Sequence, residues 1–238
     1  MMSSSGWLVK LEIAGVALAT GLAAAGVVAA AGRDDEANAG DGAERSAALA
    51  RNEQIARGRA LTIRHGCGDC HGGIANPASE EWLAGVRRPE QEFRIGPCAV
   101  TPGATPCFVT RPRNLTPDNA TGIGRFSERQ IFNALRYGLR PGETPDVEIT
   151  STTPGEGNFP ARPKYLAVPM PWPSFRHMPD EDLWAIAAYL KHGVKPVRNR
   201  VADSEGPPDF WASAYTPDKI GTYPAPPFPT AQEQAPRK

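Results

Sequence analysis

The sequence has no surplus of charge of either sign. Its 238 residues include 26 Lys and Arg against 26 Asp and Glu, so the formal net charge is zero. Proteins that bind nucleic acid normally carry a basic surplus. The balance therefore gives no general argument for nucleic-acid binding, and it does not indicate the charge of a docking partner.

The sequence also lacks internal repeats and any convincing alternation of polar and apolar residues, which is the pattern typical of β-strands. At most, Val109, Val147 and Ile149 belong to short strand pairs. Two residue types are in excess: there are 25 prolines and 24 glycines, whereas an average protein holds these two types at roughly an eighth of its length. The excess excludes a simple helical bundle and predicts one modest, mainly α-helical core with long loops and tails.

Residues 1–32 are expected to direct export. Residues 13–32 carry no charge, and a run of that length is enough to span a bilayer. Lys10 precedes the run and acidic residues follow it, which favours an inside N-terminus and export of the remainder. Ala29 and Ala31 also supply the small residues of a signal-peptidase site. An uncleaved transmembrane anchor and a cleaved signal peptide both remain open.

Three stretches follow this segment. Residues 33–49 are small, acidic and polar, and are interpreted as a flexible linker. Residues 50–195 contain all four cysteines and form the predicted domain. Residues 196–238 are rich in proline and aromatic residues and are expected to wrap over the domain or a partner as an extended arm, without helix or central strand. We expect truncation after residue 196 to leave a normal domain.

Three helices are predicted within the domain, over about 47–64, from Ser127 to Gly138, and over about 180–192. Ser127 and Gln130 have the spacing of a capping box, and Gly138 is a natural helix stop. Gly58 in the first helix is either a local cost or a point of close contact with another helix.

Cys67, Cys70 and His71 form the motif Cys-x-x-Cys-His, the attachment signature of c-type haem. Two thiols about one helical turn apart reach the two vinyl groups on one edge of a porphyrin, and the adjacent histidine then lies beneath the ring. A zinc site needs a second pair of ligands, a redox Cys-x-x-Cys needs a βαβ setting, and a Cys67–Cys70 disulfide leaves His71 without a role. The motif therefore predicts one covalently attached haem c.

Three segments carry a resemblance to a known family: GRALTIRHGCGDCH (58–71), NLTPDNATGIGRFS (114–127) and MPWPSFRHMPDEDLWAIAAYLK (170–191). Together they resemble class I cytochrome c domains, and more closely the cytochrome c domains of bacterial membrane-bound alcohol and gluconate dehydrogenase cytochrome subunits. Those subunits usually carry three haems, whereas this chain has one attachment motif. The resemblance implies a class I cytochrome c fold, with Gly58 and Tyr189 at the crossing of the first and last helices.

The resemblance also implies ligands for the iron. His71 is the expected proximal ligand and Met170 the expected distal one, between two prolines that restrict its backbone. Met178 is then the apolar residue that abuts the last helix. Met178 or His177 as the ligand, and an open sixth position, remain alternatives.

The remaining expected haem contacts come from the loop before the second helix. The segment Pro112-Arg113-Asn114-Leu115 resembles the Pro-Asn-Leu loop whose carbonyl accepts from the ligating histidine, with one residue inserted, so the residue that supplies the carbonyl stays open. Asn114 and Leu115 are expected to border the haem. The family often has Trp where this chain has Phe126, which has no donor, so we expect Arg125 or Arg113 to bind a haem propionate.

Cys98 and Cys107 are expected to form a disulfide, because a spare pair in an exported protein usually bridges. A free or redox-active pair is the alternative.

The sequence thus predicts a monohaem cytochrome that transfers single electrons on the periplasmic side of a bacterial inner membrane and has no catalytic residues. Its expected partners are a dehydrogenase, a quinol-oxidising complex or a terminal oxidase. The alternatives are an integral subunit of such a complex, a haem enzyme or sensor with an open sixth site, and a non-haem binding module.

Overall fold

The computed structural model describes residues 21–87, 91–207 and 209–221. It divides the chain after Ala50 into two units. The predicted anchor or signal segment, residues 1–32, lies largely outside the described residues. The structure is mainly helical, as predicted, with one small sheet. Its helices are α1 (Gly21–Arg64), α2 (Cys67–His71), α3 (Glu128–Tyr137), α4 (Trp172–Phe175), α5 (Asp180–Ala188) and α6 (Pro217–Ile220), and its strands are β1 (Phe93–Ile95) and β2 (Phe108–Thr110).

Helix α1 is longer than the sequence predicts. It continues through residues 33–49, where a flexible linker was expected. The first proline of the chain is Pro77, so no proline interrupts this stretch, and its Ala, Glu and Arg residues have high helix propensity, although Gly40 and Gly42 do not. Within the described ranges, no helix combines the length and the apolar character needed to cross a membrane.

Helix α3 begins and ends as predicted. The Ser127 hydroxyl accepts from the Gln130 amide, and the Gln130 side chain accepts from the Ser127 amide, which completes the capping box. The helix ends at Gly138, whose φ of 68° is in the left-handed region. A Cβ at Gly138 would overlap the ring of Trp172, so this glycine also permits close packing.

Strands β1 and β2 pair antiparallel, with Arg94 opposite Val109. Cys98 and Cys107 are joined by a disulfide in the loop between the strands. The covalent bond therefore closes the long segment that separates the Cys-x-x-Cys-His motif from the loop at Asn114.

The end of α1 crosses α5 at a point of very close contact. A Cβ at Gly58 would overlap the carbonyl group of Ala185 and lie 2.8 Å from Cβ of Tyr189. The hydroxyl of Tyr189 in turn accepts a buried hydrogen bond from Trp82 Nε1 at 2.9 Å. The crossing therefore contacts the loop that follows the cysteine motif.

The described part of the extension packs against the domain. Trp211 and Tyr215 are buried with Phe108 and Trp172 in one aromatic cluster. The extension also contains a short 3₁₀ helix, Ala212–Tyr215, and helix α6, where no helix was expected. Pro217 is tolerated there because it occupies the first turn, whose amides need no partner within the helix.

We expect Gly58→Ala to destabilise the protein by about 1–3 kcal/mol, because the added methyl group forces the two helices apart. Gly142→Ala is the matched control, since a Cβ there meets nothing within 4 Å. Urea unfolding of the purified full-length protein measures both. Equal free energies of unfolding for the two variants would contradict the close crossing.

We expect Tyr189→Phe to cost about 1–3 kcal/mol, because the buried Trp82 indole N–H loses its acceptor. The same change in a Trp82→Phe background should cost clearly less, since the donor is already gone. The four free energies of unfolding give the coupling. A coupling near zero would mean that the hydrogen bond does not form.

Candidate haem-binding site

The Cys-x-x-Cys-His motif folds as the short helix α2, directly after α1. Gly66 at its start has a φ of 63°, which turns the chain between the two helices. A Cβ at Gly68 would overlap the ring of Trp82, so this glycine lets α2 lie flat on that side chain. The packing leaves Cys67 half-buried and Cys70 exposed, with both thiols free.

The thiols of the motif do not resemble a reactive redox pair. Burial, and to a lesser degree the charge of Asp69, raises the pKa of Cys67 to about 11 and raises that of Cys70. Redox-active cysteines in Cys-x-x-Cys motifs have lowered pKa values instead. The surroundings of the two thiols therefore do not favour thiol exchange.

The imidazole of His71 is oriented by a hydrogen bond to the main chain. Its Nδ1 lies 2.7 Å from the carbonyl oxygen of Arg113. Nδ1–H is therefore the donor, which leaves the lone pair of Nε2 for a metal. Burial lowers the pKa of His71, against the opposing effect of this hydrogen bond, so the ring is neutral at pH 7. The residue inserted in the Pro-Asn-Leu loop thus supplies the carbonyl that the sequence left open.

Several apolar side chains of the main core cluster are only partly buried. Among them are Cys67, Leu115, Phe175, Met170 and Met178. Core side chains are normally covered completely, and half-covered ones mark a surface that another apolar group can bury. Two free thiols one turn apart, an oriented neutral imidazole and this apolar surface fit a haem of the c type.

The expected distal residue Met170 is held in a fixed turn. Its amide donates to Ala167 O, and its carbonyl accepts from Trp172 N, both at 2.9 Å. Trp172 is buried, which anchors the turn on the aromatic cluster. Met178 lies two residues before α5, and both methionines pack against the main core cluster.

Asn114 is buried and its side-chain amide is used within the protein. Its Nδ2 donates to Val197 O at 2.8 Å, and its Oδ1 accepts from the amide and the hydroxyl of Thr116. A direct haem contact was expected for this residue. The structure shows that its amide group stabilises the loop, and the haem contact stays a prediction.

The two arginines expected near a propionate have different surroundings. The guanidinium of Arg113 donates to the carbonyls of Val201 and Ala202 in the extension. The guanidinium of Arg125 is exposed and lies 4.6 Å from the centre of the Phe126 ring. Arg113 is therefore engaged by the protein itself, and Arg125 is the more available of the two.

Sequence reasoning did not identify the contributions of Trp82, Asn199 and Val201. The ring of Trp82 packs against Gly68 of α2. Asn199 and Val201 contact the segment at Ala84 and Gly85, and the Val201 carbonyl also accepts from Arg113. The Trp82 indole had no motif to mark it. Asn199 and Val201 lie in the stretch that the proline content had set apart from the domain.

No protein-family model matches the chain. It is 30% identical over 161 residues to the gluconate 2-dehydrogenase cytochrome c subunit of Pantoea cypripedii, which covers 59% of this chain and 32% of that protein. It is 38% identical over 84 residues to the cytochrome c subunit of the quinone alcohol dehydrogenase of Komagataeibacter europaeus, covering 35% of this chain and 14% of that protein. It is 28% identical over 150 residues to the fructose dehydrogenase cytochrome subunit of Gluconobacter japonicus, covering 63% and 23%.

The chain thus spans about a third or less of the length of these relatives. The resemblance seen in the three sequence segments is confirmed: the chain is similar to the cytochrome c subunits of gluconate, alcohol and fructose dehydrogenases.

Proposed function

We propose that the chain is a monohaem c-type cytochrome that transfers single electrons and converts no substrate of its own. The observation that carries this proposal is the hydrogen bond from His71 Nδ1 to Arg113 O, beside two free thiols and a half-buried apolar surface. An imidazole oriented in this way is typical of metal ligands, haem iron included, and a thiol-exchange site does not require it. The similarity to cytochrome c subunits supports the proposal, as does the presence of one attachment motif in the sequence.

The residues divide the work among them. Cys67 and Cys70 would hold the porphyrin through thioether bonds, and Nε2 of His71 would be a ligand of the iron. When bound, haem supplies a one-electron couple between ferrous and ferric iron. Leu115 and Phe175 exclude water from the ring. Arg125 is the group that binds a propionate. The fold that we propose is that of class I cytochromes c.

We propose Met170 as the sixth ligand. The turn from Ala167 to Trp172 fixes its backbone through two hydrogen bonds, and Pro169 and Pro171 restrict it further. Met178, in contrast, has Pro179 at the start of α5 beside it and serves to pack that helix. Ligation by His and Met raises the potential relative to two histidines, which suits a carrier late in an electron-transfer chain.

The donor that we propose is a dehydrogenase, and the site of action is the periplasmic side of the bacterial inner membrane. The relatives are named as cytochrome subunits of dehydrogenases, which also favours a second candidate function, an integral subunit of such a complex. The two candidates differ in one observable property. A subunit co-purifies with a dehydrogenase from native membranes or periplasm, whereas a free carrier does not.

We expect the full chain, expressed in a periplasm with haem-attachment machinery, to contain one covalent haem per polypeptide. The pyridine haemochrome spectrum and the mass of the intact protein measure this. Cys67→Ala together with Cys70→Ala should abolish the covalent attachment, while Cys98→Ala together with Cys107→Ala should keep it. A wild-type protein without covalent haem would overturn the proposed function.

We expect Met170→Ala to remove the weak far-red band of methionine-bound ferric haem and to allow rapid binding of carbon monoxide to the ferrous protein. Met178→Ala is the matched control and should keep the band, because its thioether only packs. Loss of the band in Met178→Ala alone would assign the ligand to Met178. Rapid carbon monoxide binding by the wild type would indicate an open sixth site and favour an enzyme or sensor.

A further inference from the structure

The C-terminal extension runs directly beside the loop that carries the acceptor for His71. Nη1 of Arg113 donates to Val201 O at 3.2 Å and to Ala202 O at 3.1 Å. The same residue offers its main-chain carbonyl to His71 Nδ1. Arg113 thus links the two: its side chain binds the extension, and its backbone carbonyl binds the His71 imidazole.

The next residues of the loop are bound to the extension as well. Val197 O accepts from Asn114 Nδ2, and the Val197 amide donates to Thr116 Oγ1 at 3.0 Å. The Asn199 amide donates to Thr121 Oγ1, also at 3.0 Å. Asn114 and Thr116 are buried, so these hydrogen bonds are shielded from water and costly to leave unmade.

The extension also contacts the segment on the other side of His71. Asn199 Nδ2 donates to Ala84 O at 2.7 Å. The next residue, Gly85, donates its amide hydrogen to His71 O, also at 2.7 Å. Val201 is 7% exposed, and a Cβ at Gly85 would lie 2.7 Å from its Cγ2. The extension therefore contacts both segments that hydrogen-bond to His71. The Arg113 segment accepts from the His71 imidazole, and the Gly85 segment donates to the His71 carbonyl.

We propose that residues 197–202 are a positioning element for the proximal ligand, which hold the Arg113 carbonyl on Nδ1 of His71 and so help to set the redox potential. This inference rests on the proposed haem function. The extension is joined to the loop at Arg113, Asn114 and Thr116 by hydrogen bonds, and Arg113 is the residue whose carbonyl accepts from His71.

The direction of the effect follows from ligand chemistry. A hydrogen bond from Nδ1–H to a carbonyl makes the imidazole a stronger base, which favours ferric iron and lowers the potential. Loosening the Arg113 loop weakens that hydrogen bond, so the midpoint potential should rise. Removing a nearby positive charge acts in the opposite direction, so the variants must keep the charge.

The test compares full-length Arg113→Lys and Asn199→Ala with the wild type. Arg113→Lys keeps the charge but loses the forked donor, and Asn199→Ala removes a neutral group. The matched controls are Arg162→Lys and Asn52→Ala, at exposed positions outside this element. We expect both test variants to raise the midpoint potential and to speed solvent exchange of the His71 Nδ1 proton, measured by NMR. The controls should change neither.

Wild-type potential and exchange in both test variants would overturn the inference while leaving the proposed function intact. Absence of covalent haem in the wild type would instead defeat the proposed function. A third measurement needs no variant, namely hydrogen exchange of the Gly85, Val197 and Asn199 amides in the native wild-type protein. We expect these amides to open as one unit. Exchange of Val197 and Asn199 more than about tenfold faster than Gly85 would show that the extension detaches on its own, which overturns the inference.

Discussion

The candidate site depends on the hydrogen bond between His71 Nδ1 and the carbonyl of Arg113. A free imidazole rotates and exchanges tautomers, and either change would remove Nε2 from a metal. One acceptor at 2.7 Å fixes both the ring orientation and the tautomer. Everything that holds the Arg113 carbonyl in place therefore contributes to the ligand, however far along the chain it lies.

The other side of the motif is fixed by close packing and one hydrogen bond. Gly58 lets α1 approach the backbone of α5, and Tyr189, directly after α5, accepts a hydrogen bond from Trp82, whose ring packs on Gly68 of α2. Each step is a contact without spare volume, so a shift at the helix crossing would reach the thiols. Protein interiors transmit displacements in this way because they are close-packed. Gly58 and Gly68 are therefore required because they lack a side chain, which permits close packing, and not because of backbone flexibility.

The sequence predicted the features that local chemistry determines. Ser127 with Gln130 and the stop at Gly138 need only neighbouring residues, and the Cys67–His71 motif is a contiguous signature. The length of α1 was predicted wrongly, because the stretch was interpreted as a linker although it holds no proline and its Ala, Glu and Arg residues favour helix. The acceptor for His71 stayed open at the sequence level, because an inserted residue shifts the register of a loop in a way that only tertiary contacts decide.

The sequence predicted that the extension lies over the domain or a partner, but not that its side chains enter the core. Proline content excludes long helices and central strands, but it does not exclude burial, since extended backbone can donate and accept hydrogen bonds and carry aromatic side chains into a core. Trp211 and Tyr215 are 5% and 8% exposed, and burying side chains of this size stabilises a fold by several kcal/mol each on the scale of about 25 cal/mol per Å². The aromatic cluster anchors the extension at Trp211 and Tyr215. Residues 197–202, nearer the start of the extension, contact the two segments that hydrogen-bond to His71. A truncation after residue 196 would therefore remove part of the core together with the carbonyl groups that accept from Arg113. The extension thus contributes to the stability of the domain and is part of it.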